Sequence, residues 1–162
     1  MSNQPRLSSS LAPDEYIFVY GTLRSAPRHE MNKVLERYGH RVGRGKIPGI
    51  LYDVGRYPGA VKRSGTRAFV WGDVYSLRDP DRALKILDRY EGWDEKNPGS
   101  AEFRRSRVTI DLGPGKKVSA WVYLYNRPTT GLPRITSGDY LKRPREAASR
   151  SRSASKSGSR AH

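Results

Sequence analysis

The chain contains no cysteine, which excludes disulfides, thiolate-ligated zinc, iron–sulfur clusters and a thiol nucleophile together. Histidine is scarce, limited to His29, His40 and His162. A three-ligand metal site would have to lean on carboxylates, and no carboxylate cluster has suitable spacing. Long apolar runs are missing as well. The longest, Ala120 to Tyr125, is far shorter than the roughly 20 residues that span a bilayer, and Met1 to Glu15 lacks the apolar centre of a signal peptide. These absences point to a cytoplasmic protein with neither membrane nor cofactor as partner. No serine stands in a Gly-x-Ser-x-Gly turn, and no repeat of 20–50 residues is visible. Gly43-Arg44-Gly45 with Gly49 has the wrong spacing for a dinucleotide loop. Gly113-Pro114-Gly115-Lys116-Lys117 lacks the first glycine and the Ser/Thr of a phosphate loop and reads better as a hairpin turn.

What the sequence has in excess is positive charge. The 162 residues carry 31 Lys+Arg against 16 Asp+Glu, a formal net charge of +15. Only 35% are hydrophobic and the mean hydropathy is −0.79, low for a chain packed throughout. Residues 142–162 hold seven basic residues and one acidic one, with alanine as their only apolar type. That tail has little with which to offset the entropy of folding and is expected to be disordered; its Ser/Arg alternation suits RNA, an acidic surface or a membrane, against the reading of a solvated terminus without a dedicated partner. Residues 1–15 read as a short disordered leader, which leaves residues 16–141 as a single domain with a net charge of +9 together with that leader.

Within that domain, Tyr16 to Tyr20 is a β-rich run stopped by Gly21. Glu30 to Tyr38 has helical spacing, with Met31, Val34, Leu35 and Tyr38 on one face. Gly43, Gly45, Pro48, Gly49, Gly55, Pro58 and Gly59 are expected to cut the next stretch into short strands and turns. Ala68 to Leu77 alternates, as do Phe103 to Leu112 and Lys117 to Tyr125 around Gly113-Pro114-Gly115. Asp79 and Pro80 start a helix as N-cap and first residue, and Gly92 stops it. The fold class is α+β: a small mixed barrel-like sheet with two or more packed helices.

Two features carry candidate chemistry. On the helix from Asp79 to Gly92, at about 100° per residue, Glu91 falls within roughly 20° of Leu84 and 40° of Leu87, inside the apolar arc. A carboxylate there is desolvated and faces the negative end of the helix dipole, so its pKa should rise toward the range useful for proton transfer. The alternative is a glutamate that reaches solvent or pairs with an arginine. The second feature is Tyr20-Gly21-Thr22-Leu23-Arg24, where a glycine after a strand allows outward backbone N–H groups to cradle an anion, with Thr22 adding a hydroxyl and Arg24 a charge.

Together with Ile17-Phe18-Val19 before that loop, Pro27-Arg28-His29, Pro48-Gly49-Ile50-Leu51-Tyr52, Tyr57-Pro58-Gly59-Ala60-Val61, Gly72-Asp73-Val74-Tyr75, Leu87-Asp88-Arg89-Tyr90-Glu91-Gly92, Ala120 to Tyr125 and Ile135 to Leu141, these residues form an ordered set. The set resembles the γ-glutamylcyclotransferase superfamily, which includes γ-glutamylaminecyclotransferases and plant avirulence-induced proteins. The resemblance covers Tyr16 to Leu141. It implies a barrel-like α+β fold, a substrate loop at Tyr20–Leu23 and a catalytic acid/base at Glu91. It also implies cofactor-free closure of a γ-glutamyl group to 5-oxoproline with release of an amine. Tyr125 is a further candidate for a hydroxyl in the pocket, against aromatic packing as the alternative. The chain departs from amine-type relatives in a longer loop, Trp93 to Ala101, and in Phe103-Arg104-Arg105 where they have Tyr-x-Arg. Competing readings are a catalytically silent module binding a small carboxylate, and a nucleic-acid-associated protein acting through its tail.

Overall fold

A computed structural model describes residues 15–21 and 29–142. The expected disordered leader and basic tail therefore lie almost wholly outside the described residues. Six strands and two helices follow in the order β1 (Glu15–Val19), α1 (His29–Tyr38), β2 (Gly39–Asp53), β3 (Pro58–Lys62), β4 (Phe69–Leu77), α2 (Pro80–Glu91), β5 (Phe103–Gly113) and β6 (Lys116–Tyr125). The sheet order is β3-β2-β4-β1-β6-β5, and β2 also pairs with β5 through Lys46 and Asp111. That last pairing closes five strands into a barrel and leaves β3 outside it, on the far half of β2. Only β1 and β6 run parallel, so the barrel is mixed. The expected α+β barrel with packed helices is the observed one.

Alternation decides which residues fill the barrel. Phe18, Ile47, Val70, Val74, Val108, Ile110, Ala120 and Val122 point inward and form one core. The opposite faces of the same strands carry Ile17, Val19, Leu77, Phe103 and Tyr123, against which α1 and α2 lay Leu35, Ala83, Leu84 and Leu87. In β6 the split falls as read from the sequence, with Ala120 and Val122 inside and Trp121, Tyr123 and Tyr125 toward the helix side. The Ile135–Asp139 segment is bonded to β2 and β4, the Ile135 N–H donating to the Leu51 carbonyl at 2.7 Å and the Trp71 N–H to the Gly138 carbonyl at 2.8 Å. Ile135 joins the inner core, and the buried Asp139 carboxylate meets Arg44 Nη2 at 2.9 Å.

The stretch expected to break into short strands breaks at Val54–Tyr57, around Gly55 with φ 129°, between β2 and β3, but not before it. β2 runs unbroken for 15 residues through Gly43, Gly45, Pro48 and Gly49, apart from a bulge between Arg41 and Gly43. Two of its glycines mark close approach rather than turns. A Cβ on Gly45 would stand 2.6 Å from Ile110 Cγ2, and one on Gly49 would run into the Val61 carbonyl. At Gly49 the strand passes from its pairing with β4 to its pairing with β3. Gly49→Ala should therefore cost about 1–3 kcal/mol of stability by forcing β2 and β3 apart. Gly43→Ala, with nothing within 4 Å of the added methyl, should stay within about 0.5 kcal/mol of the parent. Urea unfolding midpoints measure both.

Candidate active site

Where β1 leaves the barrel, five separated segments enclose a cavity of about 260 Å³, just below the size typical for drug-sized ligands. Phe18 to Gly21 come from the end of β1, Tyr57 and Pro58 from the approach to β3, Tyr90 and Glu91 from the end of α2, Glu102 and Phe103 from the start of β5, and Tyr123 from β6.

Helix α2 delivers Glu91 here because both of its ends are fixed. Asp79 accepts a hydrogen bond from the Arg82 N–H, Pro80 opens the first turn, and Gly92 ends the helix in the left-handed conformation with φ 74°. Ala83, Leu84 and Leu87 bury the same side of the helix. One turn before Glu91, Asp88 Oδ1 accepts a 2.7 Å hydrogen bond from the Tyr123 hydroxyl. Arg105 Nε lies 2.8 Å from the same oxygen, though not in hydrogen-bond alignment, and its guanidinium stacks 4.4 Å over the Trp121 ring. The last turn of α2 is thus tied to β5 and β6. Glu91 itself is half-buried.

Tyr20 is buried, and its hydroxyl is fully engaged. It donates to the Tyr123 carbonyl at 2.6 Å and accepts from the Ala60 N–H at 3.0 Å, linking β1, β3 and β6. Burial pushes its pKa up, and the Glu91 charge adds to that. The Tyr123 phenol is likewise driven up by burial and by the adjacent Asp88 carboxylate, with a smaller contribution from Glu91. Glu91 therefore sits among phenols that remain protonated.

The other wall carries a pair that the sequence reading did not single out. Tyr57 donates a 2.6 Å hydrogen bond to Glu102 Oε2, and that bond, with burial and the Glu102 charge, pushes the Tyr57 pKa up to about 12. The Phe103 ring lies between Tyr57 and Tyr125, at centroid distances of 5.8 and 5.7 Å. The hydroxyl missing at Phe103 thus has a neighbour in Tyr57. Neither Glu102 nor Tyr57 stands on a recognisable helical or strand pattern; only the fold brings positions 57 and 102 together.

Of the expected site residues, Glu91, Tyr20 and Gly21 meet at this cavity. Gly21 is needed for space, since a Cβ there would lie 2.7 Å from Pro58 Cγ. Thr22, Leu23 and Arg24 lie outside the described residues. Tyr125 is not among the lining side chains. Its ring packs over Gly59 and edge-on against Phe103.

The model of the family described as "Gamma-glutamyl cyclotransferase, AIG2-like" matches residues 17–142. The chain belongs to this family. Among curated relatives, the Escherichia coli K12 "Gamma-glutamylcyclotransferase family protein YtfP" is 35% identical over 128 residues, covering 78% of this chain and 96% of that one. The solution structure of E. coli YtfP matches with a TM-score of 0.56 at 33% identity, over 79% of this chain and 97% of that one. A mouse AIG2-like protein, 24% identical, matches with a TM-score of 0.62 over 83% and 92% of the two chains and supports the fold. Bacillus subtilis YkqA does the same at 20% identity and a TM-score of 0.61, but this chain spans 85% of itself and 43% of that longer protein. Among the described residues of this family member, no helix is long and apolar enough to cross a membrane.

Tyr20→Phe should lower stability by about 2–3 kcal/mol, because it leaves the buried Ala60 N–H without its acceptor. Denaturant unfolding would show it. The raised Tyr57 pKa has its own consequence. The folded state keeps a proton that the unfolded phenol releases near pH 10, so this contribution to stability is present below pH 10 and declines toward pH 12. Tyr57→Phe should flatten the loss of stability across that alkaline window, as followed by thermal melting at stepped pH.

Proposed function

We propose that the protein is a cofactor-free γ-glutamylcyclotransferase that converts a γ-glutamyl amine or γ-glutamyl amino acid into 5-oxoproline and a free amine. The observation that carries this reading is Glu91, brought by the capped end of α2 into the same cavity as Tyr20 and Gly21. The curated relatives are named for this chemistry, and the family match spans the whole barrel.

The reaction asks little of the protein. The substrate's α-amino nitrogen forms a bond to its own γ-carbonyl carbon, the amide C–N bond breaks, and a five-membered lactam remains. Attack is intramolecular, so orientation replaces a protein nucleophile. Two protons leave the attacking nitrogen on its way from α-ammonium to lactam N–H, and the departing amide nitrogen takes up two to leave as an ammonium. Glu91 serves in turn as base and acid, and returns to its starting state without net consumption of water. Phe18, Val19 and Phe103 give the cavity apolar walls. In this reading the backbone from Gly21 through Thr22 and Leu23 holds the substrate carboxylate or the developing oxyanion, with Arg24 adding charge.

The test is 5-oxoproline release from a panel of γ-glutamyl amines and amino acids. Glu91→Gln, which preserves shape and removes proton transfer, should reduce kcat by about 10²–10⁴-fold. Undiminished turnover in that variant would overturn the mechanism. Thermal stabilisation by γ-glutamyl compounds without any 5-oxoproline would replace it with a binding module on the same fold.

A further inference from the structure

A second concavity lies on the outside of the barrel and shares no lining residue with the Glu91 cavity. It measures about 400 Å³ and sits between the outer face of β2 and β4 and the turn of the β5–β6 hairpin, with no helix residue in its walls. Alternation sets its chemistry. Gly45, Ile47 and Val70 are buried, so Arg44, Lys46 and Trp71 face outward, and the buried Ile110 turns Asp111 outward in the same way. Lys117 joins them from β6. The charged lining is thus three cations against the single acid Asp111.

Arg44 is fixed before any ligand arrives. Its Nη2 meets the buried Asp139 carboxylate at 2.9 Å, and its guanidinium carbon lies 4.2 Å from the centroid of the Trp71 ring. One face of the guanidinium rests on the indole, while the side chain stays 40% exposed, a charged plane of the kind on which an unpaired base stacks. Lys46 Nζ lies 4.2 Å from the Phe69 centroid. Among the described residues, neither Lys46 nor Lys117 forms an ion pair, which leaves both for phosphates. Asp111 Oδ1 accepts from the Gly113 N–H at 2.9 Å; its other oxygen repels a phosphate but accepts a hydroxyl. Thr109 and Ser119, exposed and paired across β5 and β6, add two hydroxyls beside it. The described residues end at Lys142, three positions beyond Asp139, and residues 142–162 carry seven basic residues and one acidic one. The cationic character of the groove therefore continues in the sequence that follows it.

We propose that this groove docks single-stranded RNA, independently of the chemistry at Glu91. Lys46 and Lys117 take phosphates, the Arg44 plane on Trp71 takes a base, and Asp111 takes a ribose 2′-hydroxyl. A duplex keeps its base faces stacked inside and cannot use the Arg44 plane. An acidic protein would need an apolar centre to its interface, whereas the rings of Phe69 and Trp71 are already capped by Lys46 and Arg44. DNA has phosphates and bases but no hydroxyl for Asp111.

Fluorescence anisotropy of the full chain with a labelled, unstructured RNA of about 12 nucleotides reads the affinity across a salt series. Lys46→Ala with Lys117→Ala should weaken binding about 10–30-fold at about 0.1 M salt and reduce the salt slope by about 1.4. Arg44→Lys keeps the charge and loses the plane, so affinity should fall about 3–10-fold with the slope unchanged. DNA of the same sequence should bind about 3–10-fold more weakly than RNA, and Asp111→Asn should narrow that gap. Melting temperatures check that each variant folds, and Lys117→Ala alone, at an exposed position, keeps the test open should the double variant not fold. RNA binding that ignores the Lys46, Lys117 and Arg44 substitutions places the interaction outside the groove and overturns the proposal. Equal affinity for DNA, tighter binding of duplex RNA, or tighter binding of a poly-glutamate peptide overturns it as well.

Discussion

The structure depends on one strand serving two partners. The first part of β2 pairs with β4 and touches β5, which closes the barrel, while Gly49 to Asp53 pairs with β3 outside it. Without closure the inward side chains from Phe18 to Val122 have no common interior. Without the second half of β2, Tyr57 and Pro58 are not carried to the mouth of the cavity. The close contacts at Gly45 and Gly49 are what this double pairing requires: each backbone position runs against a neighbour with no room for a side chain.

The cavity walls follow from that frame. Tyr20 reaches across to β3 and β6 with both hydrogen-bonding functions of its hydroxyl occupied, so its ring acts as a fixed wall. Asp88 ties the last turn of α2 to Tyr123 and Arg105, and Glu91 inherits its position from that tie and from the Gly92 cap. The carboxylate at the centre of the proposed chemistry is thus placed by residues that need not themselves react.

Much of this was legible in the sequence where a local signal had one meaning. Asp79-Pro80 and Gly92 bounded α2 closely, and the period-two pattern of β6 assigned both of its faces. The wheel that put Glu91 beside Leu84 and Leu87 placed it on the side of the helix that meets the barrel. The glycines between Gly43 and Gly49 misled because glycine signals both turns and close approach, and only the neighbouring strand decides between them. Tyr57 stood in one of the family-like segments, but its pairing with Glu102 had no signal. The two lie 45 positions apart on segments without periodicity, and their pairing exists only after β3 has docked beside β6. For Tyr125 the sequence left packing and pocket open; its ring lies against Gly59 and Phe103.

The contrast between a basic surface and an acidic cavity gives the molecule two fields of opposite sign at different ranges. At a distance a small cation meets a polycation and is repelled, whereas an anion is drawn in. Among the described residues, the charged side chains lining the cavity are Glu91 and Glu102. At physiological ionic strength the screening length is about 8 Å, so the outer repulsion fades before it reaches far into solution while the partly enclosed carboxylates stay largely unscreened. Salt therefore helps a cationic ligand to approach and hinders an anionic one, and the ion content of the surroundings becomes part of how this cavity chooses its occupant.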